Sequence, residues 1–213
     1  MIPRLHIVTD DEILARDDFL SSAGQVLEAG GEDVALHLRG PGTSGRALFE
    51  LGRAVRDLAA GSGSLLLVND RIDVALVLHL PGAHLGQRSL PPTVARRVLG
   101  REAVLGLSVH GPEEVPPGSS PGVLDFLVVG TIFPSASHPG ESPGGPGRLQ
   151  AVGRVTSAPL LAIGGVTPPR VGEALEAEAH GVAVLGGIWR GKDPGGATRG
   201  YVEAVEQEIE RDR

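Results

Sequence analysis

Cysteine is absent from the 213 residues, which excludes disulfides, thiolate nucleophiles, Cys-ligated zinc and Cys-held iron–sulfur clusters. Aromatic residues make up only 3% of the chain. Basic side chains are outnumbered, 19 against 26 acidic ones, for a formal charge of −7. That balance disfavours a protein that coats nucleic acid or an anionic membrane, while leaving room for a small cationic pocket. Long apolar runs are missing too. Stretches such as Leu65–Val68 fall far short of the roughly 18 residues of a spanning helix. Met1-Ile2-Pro3-Arg4 lacks the apolar stretch of a signal peptide. The expectation is a soluble, cytoplasmic protein with no nucleic-acid or membrane partner.

What is present is glycine and proline, 32 and 17 residues, beside an apolar fraction of 41% that suffices for a sizeable core. The glycines sit at the ends of apolar runs, where turns approach a ligand closely. Strands are expected at Leu5–Asp10, Asp33–Arg39, Ser64–Asp70, Ala83–Gln87, Ala103–His110, Phe126–Phe133, Leu160–Val166 and Gly181–Ile188. Most are near-continuously hydrophobic, as strands buried on both faces are. Helical periodicity lies between them: Leu48, Leu51, Ala54, Val55 and Leu58 behind a Ser44 cap; Ile72, Val74, Ala75 and Leu76; Val171, Ala174 and Leu175 behind Pro168-Pro169; and Tyr201, Val205 and Ile209. Eight evenly spread β–α alternations predict an α/β fold, a single (β/α)8 TIM barrel over residues 1–213. An open doubly wound sheet is the competing architecture, but no Gly-x-Gly-x-x-Gly opens the first helix. One irregular segment stands out, Pro134–Gly147, with four prolines and four glycines; loops of this length in compact barrels are usually functional or mobile.

Chemistry in such a barrel belongs at the C-terminal ends of the strands. Those ends read Thr9-Asp10, His37-Leu38-Arg39, Asn69-Asp70, His84-Leu85-Gly86-Gln87, Ser108-Val109-His110, Thr131, Gly164-Gly165 and Gly186-Gly187. By alternation His37 and Arg39 share one face, and so do Ser108 and His110. Each also has a plainer reading. His37 and His84 are satisfied by hydrogen bonds within the barrel, Asp70 caps a helix, Arg39 pairs with Asp33 or Asp70, and the glycine pairs are tight turns. The two pairs fall on strands seven and eight, where backbone N–H groups cradle a phosphate. That placement favours a phosphorylated small molecule, with Thr131 lining the same region.

The ordered series Val8-Thr9-Asp10, His37-Leu38-Arg39, Val68-Asn69-Asp70-Arg71-Ile72-Asp73-Val74-Ala75, His84-Leu85-Gly86-Gln87, Gly106-Leu107-Ser108-Val109-His110, Gly130-Thr131-Ile132-Phe133-Pro134, Ala162-Ile163-Gly164-Gly165-Val166 and Gly181-Val182-Ala183-Val184 resembles the thiamine phosphate synthase/TenI family over essentially the whole chain. The resemblance implies thiamine biosynthesis on a TIM barrel that binds a thiazole phosphate. It implies Arg39, His37, Asn69, Asp70, His84, Gln87 and Thr131 around the substrate. Two activities occur in that family. The synthase joins a pyrimidine pyrophosphate to the thiazole phosphate with Mg²⁺; the tautomerase aromatises a thiazole carboxylate phosphate without metal.

This chain departs from the synthase pattern at three places. Gln-x-Arg-x-Lys reads His37-Leu38-Arg39-Gly40-Pro41, the acidic Mg²⁺ ligand after His-Leu-Gly-Gln is Ser89, following Arg88, and Pro-Thr-x-Thr-Lys reads Pro134-Ser135-Ala136-Ser137-His138. A departing pyrophosphate carries about three negative charges and needs Mg²⁺ and cationic donors. Losing one of two metal carboxylates and two lysines therefore points to the tautomerase, an isomerase with His110 as acid/base group, Ser108 orienting and no cofactor. The alternatives are the synthase, a transferase with Asp70 holding Mg²⁺, and a non-catalytic binder of a thiamine-related phosphate. Homo-oligomerisation stays open.

Overall fold

The aliphatic runs become eight parallel strands that close on themselves. The computed structural model describes residues 1–116, 122–135 and 142–211. Its strands are β1 (Leu5–Val8), β2 (Val34–Leu38), β3 (Leu65–Asn69), β4 (Gly82–Leu85), β5 (Val104–Val109), β6 (Phe126–Val129), β7 (Leu160–Ile163) and β8 (Gly181–Val184). They form a closed barrel in chain order, and β8 returns to β1 with Leu5 opposite Val182, His6 opposite Ala183 and Ile7 opposite Val184. This is the (β/α)8 TIM barrel that the alternation predicts; the open sheet is excluded.

Most of the expected strands run past their ladders at the C-terminal end. Beyond the ladders the chain leaves the sheet: β1 stops at Val8 before the polar Thr9-Asp10, and β8 stops at Val184 because a helix begins at Gly186. The surrounding helices are α1 (Asp11–Leu14), α2 (Phe19–Gly30), α3 (Gly45–Ser62), α4 (Ile72–Val77), α5 (Pro92–Leu99), α6 (Pro146–Gly153), α7 (Val171–Glu176), α8 (Gly186–Trp189) and α9 (Pro194–Arg211). Ser44 caps α3 by accepting the Ala47 N–H at 3.2 Å. The apolar face of α3 is rotated from its expected stripe. Leu48 and Val55 are buried, but Gly52 and Ala59 complete the face while Leu58 is exposed. Small residues there let Leu78 pack closely, 2.8 Å from a Cβ built on Gly52.

Two apolar layers result. The larger lies between strands and helices and includes Leu5, Ile7, Leu36, Leu38, Val68 and Leu105. The smaller fills the lumen with Val8, Leu67, Phe126, Val128, Leu161 and Ala183. At the N-terminal end, Arg96 of α5 is buried, pairs with Asp125 at 2.7 Å and donates to the Val123 and Gly100 carbonyls, each at 3.0 Å. Asp125 also accepts the Leu105 N–H at 2.7 Å, so this one ion pair ties α5 to β5 and β6. Arg96→Ala leaves several carbonyls without their donor and removes the partner of a half-exposed carboxylate, and is expected to cost about 2–3 kcal/mol. Urea unfolding checks this: a loss under about 1 kcal/mol means that the pair is not structural.

Candidate active site

Alternation along β1, β2 and β4 turns His6, His37 and His84 into the lumen around the Phe126 ring. All three are essentially fully buried, at 0%, 1% and 2% exposure. Ring centroids lie 4.9 Å apart for His6–His37 and 5.2 Å for His37–His84, and Phe126 stacks on His84 at 5.6 Å. Gly106 of β5 makes room for this layer, since a Cβ there would sit 2.2 Å from Phe126 and 2.6 Å from His84 Nδ1. The layer is hydrogen-bonded. His6 Nε2 lies 3.1 Å from the Pro3 carbonyl and His6 Nδ1 2.7 Å from His37 Nε2. His37 Nδ1 faces Asn69 at 3.2 Å, and His84 Nε2 meets Ser108 Oγ at 2.7 Å. Burial depresses all three imidazoles: His37 to about 4, and His6 and His84 well below their ordinary value, with the neighbouring rings adding to the effect on both.

Above the histidines lies the mouth. Thr9 clamps the end of β2: the Arg39 N–H donates to its hydroxyl at 2.9 Å, and the hydroxyl lies 3.0 Å from the Arg39 carbonyl. The Arg39 guanidinium forms no ion pair among the described residues, so the expected pairing with Asp33 or Asp70 is not made. Asp33 belongs to the opposite end of β2. Asp70 does not cap α4. It holds φ at 64° and turns its carboxylate across to the β4 loop, accepting the Gly86 N–H at 2.8 Å and the Ser89 hydroxyl. From the same loop Gln87 Nε2 contacts His110 Nδ1, beyond the end of β5, at 2.9 Å. The His110 N–H donates to Glu114 at 2.7 Å. Burial works to raise Glu114, but the bonds from His110 and Gln87 outweigh it and hold the carboxyl below its ordinary value. His110 itself is exposed at the rim, beyond the end of β5, while Ser108 lies one step deeper against His84.

The glycine pairs close the other side. Gly164 and Gly165 have φ of 97° and 62°, a region in which side chains are strained. A Cβ on Gly165 would lie 2.3 Å from the Pro134 carbonyl. Thr131 is buried against Gly164, 2.5 Å from the Cβ position. Gly186 and Gly187 open α8, with N–H groups of a first turn that have no intrahelical acceptor. Of the irregular Pro134–Gly147 segment, residues 136–141, with Ala136, Ser137 and His138 among them, lie outside the described residues. Its end folds back onto β6 through Gly144 N–H to Thr131 O at 2.8 Å. The mouth thus gathers Arg39, Asn69, Asp70, Gln87, Ser108, His110 and both glycine pairs. His37 and His84 form its floor rather than its rim. Sequence reasoning missed His6, whose signal was its place two residues before Val8 on one face of β1. It also missed the contact that joins Ser89 to Asp70.

Two features limit what could hold a metal. Among the described residues no group of three or more His, Asp or Glu side chains is arranged so that it could hold a metal ion. At the mouth the Asp70 carboxylate and the Ser89 hydroxyl lie together.

A family model described as thiamine monophosphate synthase matches residues 5–188. A protein of Natronomonas pharaonis named thiamine-phosphate synthase is 40% identical over 191 residues, covering 87% of this chain and 88% of its own. One of Haloquadratum walsbyi with the same name is 38% identical over 184 residues, covering 84% and 82%. The solved structure of a thiamine phosphate pyrophosphorylase from Pyrococcus furiosus superposes with a TM-score of 0.82 at 26% identity, covering 97% of this chain and 96% of that one. These relatives overturn the expectation of a thiazole tautomerase, an isomerase. That expectation rested on missing lysines and a missing carboxylate. Relatives named synthase match across most of the chain, so the synthase alternative fits better than the tautomerase.

Proposed function

The chain belongs to the thiamine monophosphate synthase family, and we propose that it is itself a synthase, a transferase that joins a hydroxymethylpyrimidine pyrophosphate to a thiazole phosphate and expels pyrophosphate. What carries this reading is the run of relatives named thiamine-phosphate synthase over most of the chain, on a barrel whose polar side chains meet at one end. The whole of residues 1–213 serves as one domain in this reading.

Asn69, Gln87 and Ser108 supply neutral hydrogen-bonding groups to the substrates, and Arg39 supplies a fixed positive charge in a planar, two-pronged donor. His110 holds Gln87 rather than moving protons on a thiazole, and His37 and His84 set the floor. Mg²⁺ ordinarily binds through one or two carboxylates together with substrate phosphates and water. Asp70 with the Ser89 hydroxyl fits that thin donor set, and these two residues would hold the ion. Bound there, Mg²⁺ neutralises charge on the leaving pyrophosphate. Arg88, beside Ser89 in the sequence, replaces part of the missing lysine charge. The direct test supplies both phosphorylated substrates with Mg²⁺ and measures thiamine phosphate and pyrophosphate. Equal amounts of the two are expected; neither product at saturating substrate would overturn the assignment.

The thiazole phosphate is assigned to the backbone N–H groups around Gly164-Gly165 and Gly186-Gly187, with Thr131 beside them. Not every glycine is a fair probe of this. A Cβ at Gly165 meets backbone at 2.3 Å and one at Gly187 meets the Tyr201 hydroxyl at 2.2 Å, so both substitutions disturb the fold. At Gly186 the nearest atom is the mobile Arg190 side chain at 3.3 Å. Gly186→Ala is therefore expected to leave thermal stability unchanged and to weaken thiazole phosphate binding about tenfold, the scale of one charged hydrogen bond. Calorimetric titration showing parental affinity places the phosphate elsewhere.

A further inference from the structure

With all three rings neutral, hydrogen-bond accounting in the lumen has one consistent solution. The Pro3 carbonyl only accepts, so His6, 3.1 Å away at Nε2, carries its proton there and is bare at Nδ1. His37 Nε2, 2.7 Å from that bare nitrogen, must then be the protonated one, which leaves His37 Nδ1 as an acceptor. Its neighbour at 3.2 Å is the Asn69 amide, with Oδ1 toward the ring. Two acceptors cannot bond to each other. A half-turn of the amide exchanges oxygen and nitrogen without moving another atom, and brings Nδ2–H to the histidine. The Asn69 carbonyl oxygen then points into the mouth.

His84 follows the same logic. Its Nδ1 is buried and has no partner among the described residues. A stranded buried N–H is rarer than a bare acceptor, so the proton sits on Nε2 and donates to Ser108 Oγ at 2.7 Å. The Ser108 hydroxyl proton is thereby left free for substrate.

We propose that His6 and His37 form a positioning relay from the floor of the barrel to its mouth, which makes Asn69 present a hydrogen-bond acceptor to the substrates while His84 makes Ser108 present a donor. This rests on the synthase reading for what the two groups meet, but not for their polarity. A doubly protonated His37 could keep Asn69 unturned by donating from both nitrogens. It would place a cation beside two further imidazoles in a fully buried layer, and burial already drives these rings neutral.

Long-range ¹H–¹⁵N spectra of histidine-labelled, full-length protein at pH 7.5 read each ring directly. Neutral, Nε2-protonated rings are expected for His6, His37 and His84. Protonation of His37 at Nδ1, alone or in an imidazolium, overturns the relay. The second arm compares two variants. His6→Gln keeps an acceptor for His37 and a donor for Pro3, whereas His6→Leu removes both. His6→Leu is expected to change the His37 tautomer and to lower kcat/KM for thiamine phosphate formation about tenfold. His6→Gln is expected to keep both within about twofold. Equal losses in the two variants would mean packing alone and refute the relay. If His6→Leu does not fold, the parental spectrum still decides. If the parent forms no thiamine phosphate, the synthase reading fails while the spectrum continues to test the relay.

Discussion

Thiamine phosphate formation is expected to fall roughly 10²-fold or more when Asp70 is replaced by asparagine, and to vanish reversibly with EDTA. Asparagine is the informative substitution because Asp70 sits at φ 64°, where asparagine is tolerated and alanine strained. The amide can still accept the Gly86 N–H that Asp70 now takes at 2.8 Å, so charge is lost with little else. Thermal stability should remain near parental. Ser89→Asp sharpens the case from the other side, since Ser89 already touches Asp70. A second carboxylate there should reduce the Mg²⁺ needed for half-maximal rate, and should destabilise the metal-free protein by like-charge repulsion. Parental turnover by Asp70→Asn, or activity indifferent to EDTA and restored Mg²⁺, would show that Asp70 does not serve a metal.

How much of this could be read from the chain alone depended on which physical signal each element carries. All eight strands were legible because a strand buried on both faces is apolar at every position, as in Phe126–Val129 and Leu160–Ile163. Helix α2 went unread although Phe19, Ala23, Val26 and Leu27 share a buried face, because serines and glycines interrupt the pattern. The rim of the site followed from topology, since strand ends in a barrel converge whatever the side chains are. Partnerships did not follow. That Asp70 reaches Ser89, and that His110 holds Gln87, depends on loop paths and strand register, which no local periodicity encodes. The choice of reaction failed for a related reason. Counting lost cations treats the site as a sum of conserved positions, whereas donors and charges from other loops can serve the same anion.

Acid should unfold this protein early and steeply. His6, His37 and His84 are buried and neutral, and burial sets each below its ordinary value, His37 to about 4. In the unfolded chain the same groups titrate near 6.5. Between those values the unfolded state holds protons that the folded state refuses, so stability is complete above about pH 6.5 and declines as pH falls through this window. Each histidine contributes up to about 1.4 kcal/mol per pH unit, and three together up to about 4. For His37 alone the window from about 6.5 to about 4 amounts to about 3 kcal/mol. Against a typical total of about 5–15 kcal/mol, a loss on this scale moves the onset of acid unfolding up to pH values at which most carboxylates are still ionised. Urea unfolding at half-unit steps from pH 7.5 to 5 should show a plateau and then a slope approaching three protons. Since glutamine has no proton to refuse, His37→Gln should remove about one proton from that slope. A flat profile between pH 6 and 5 would mean that the rings are charged or solvated in the folded state, and that the lumen is not the dry, neutral layer on which the site is built.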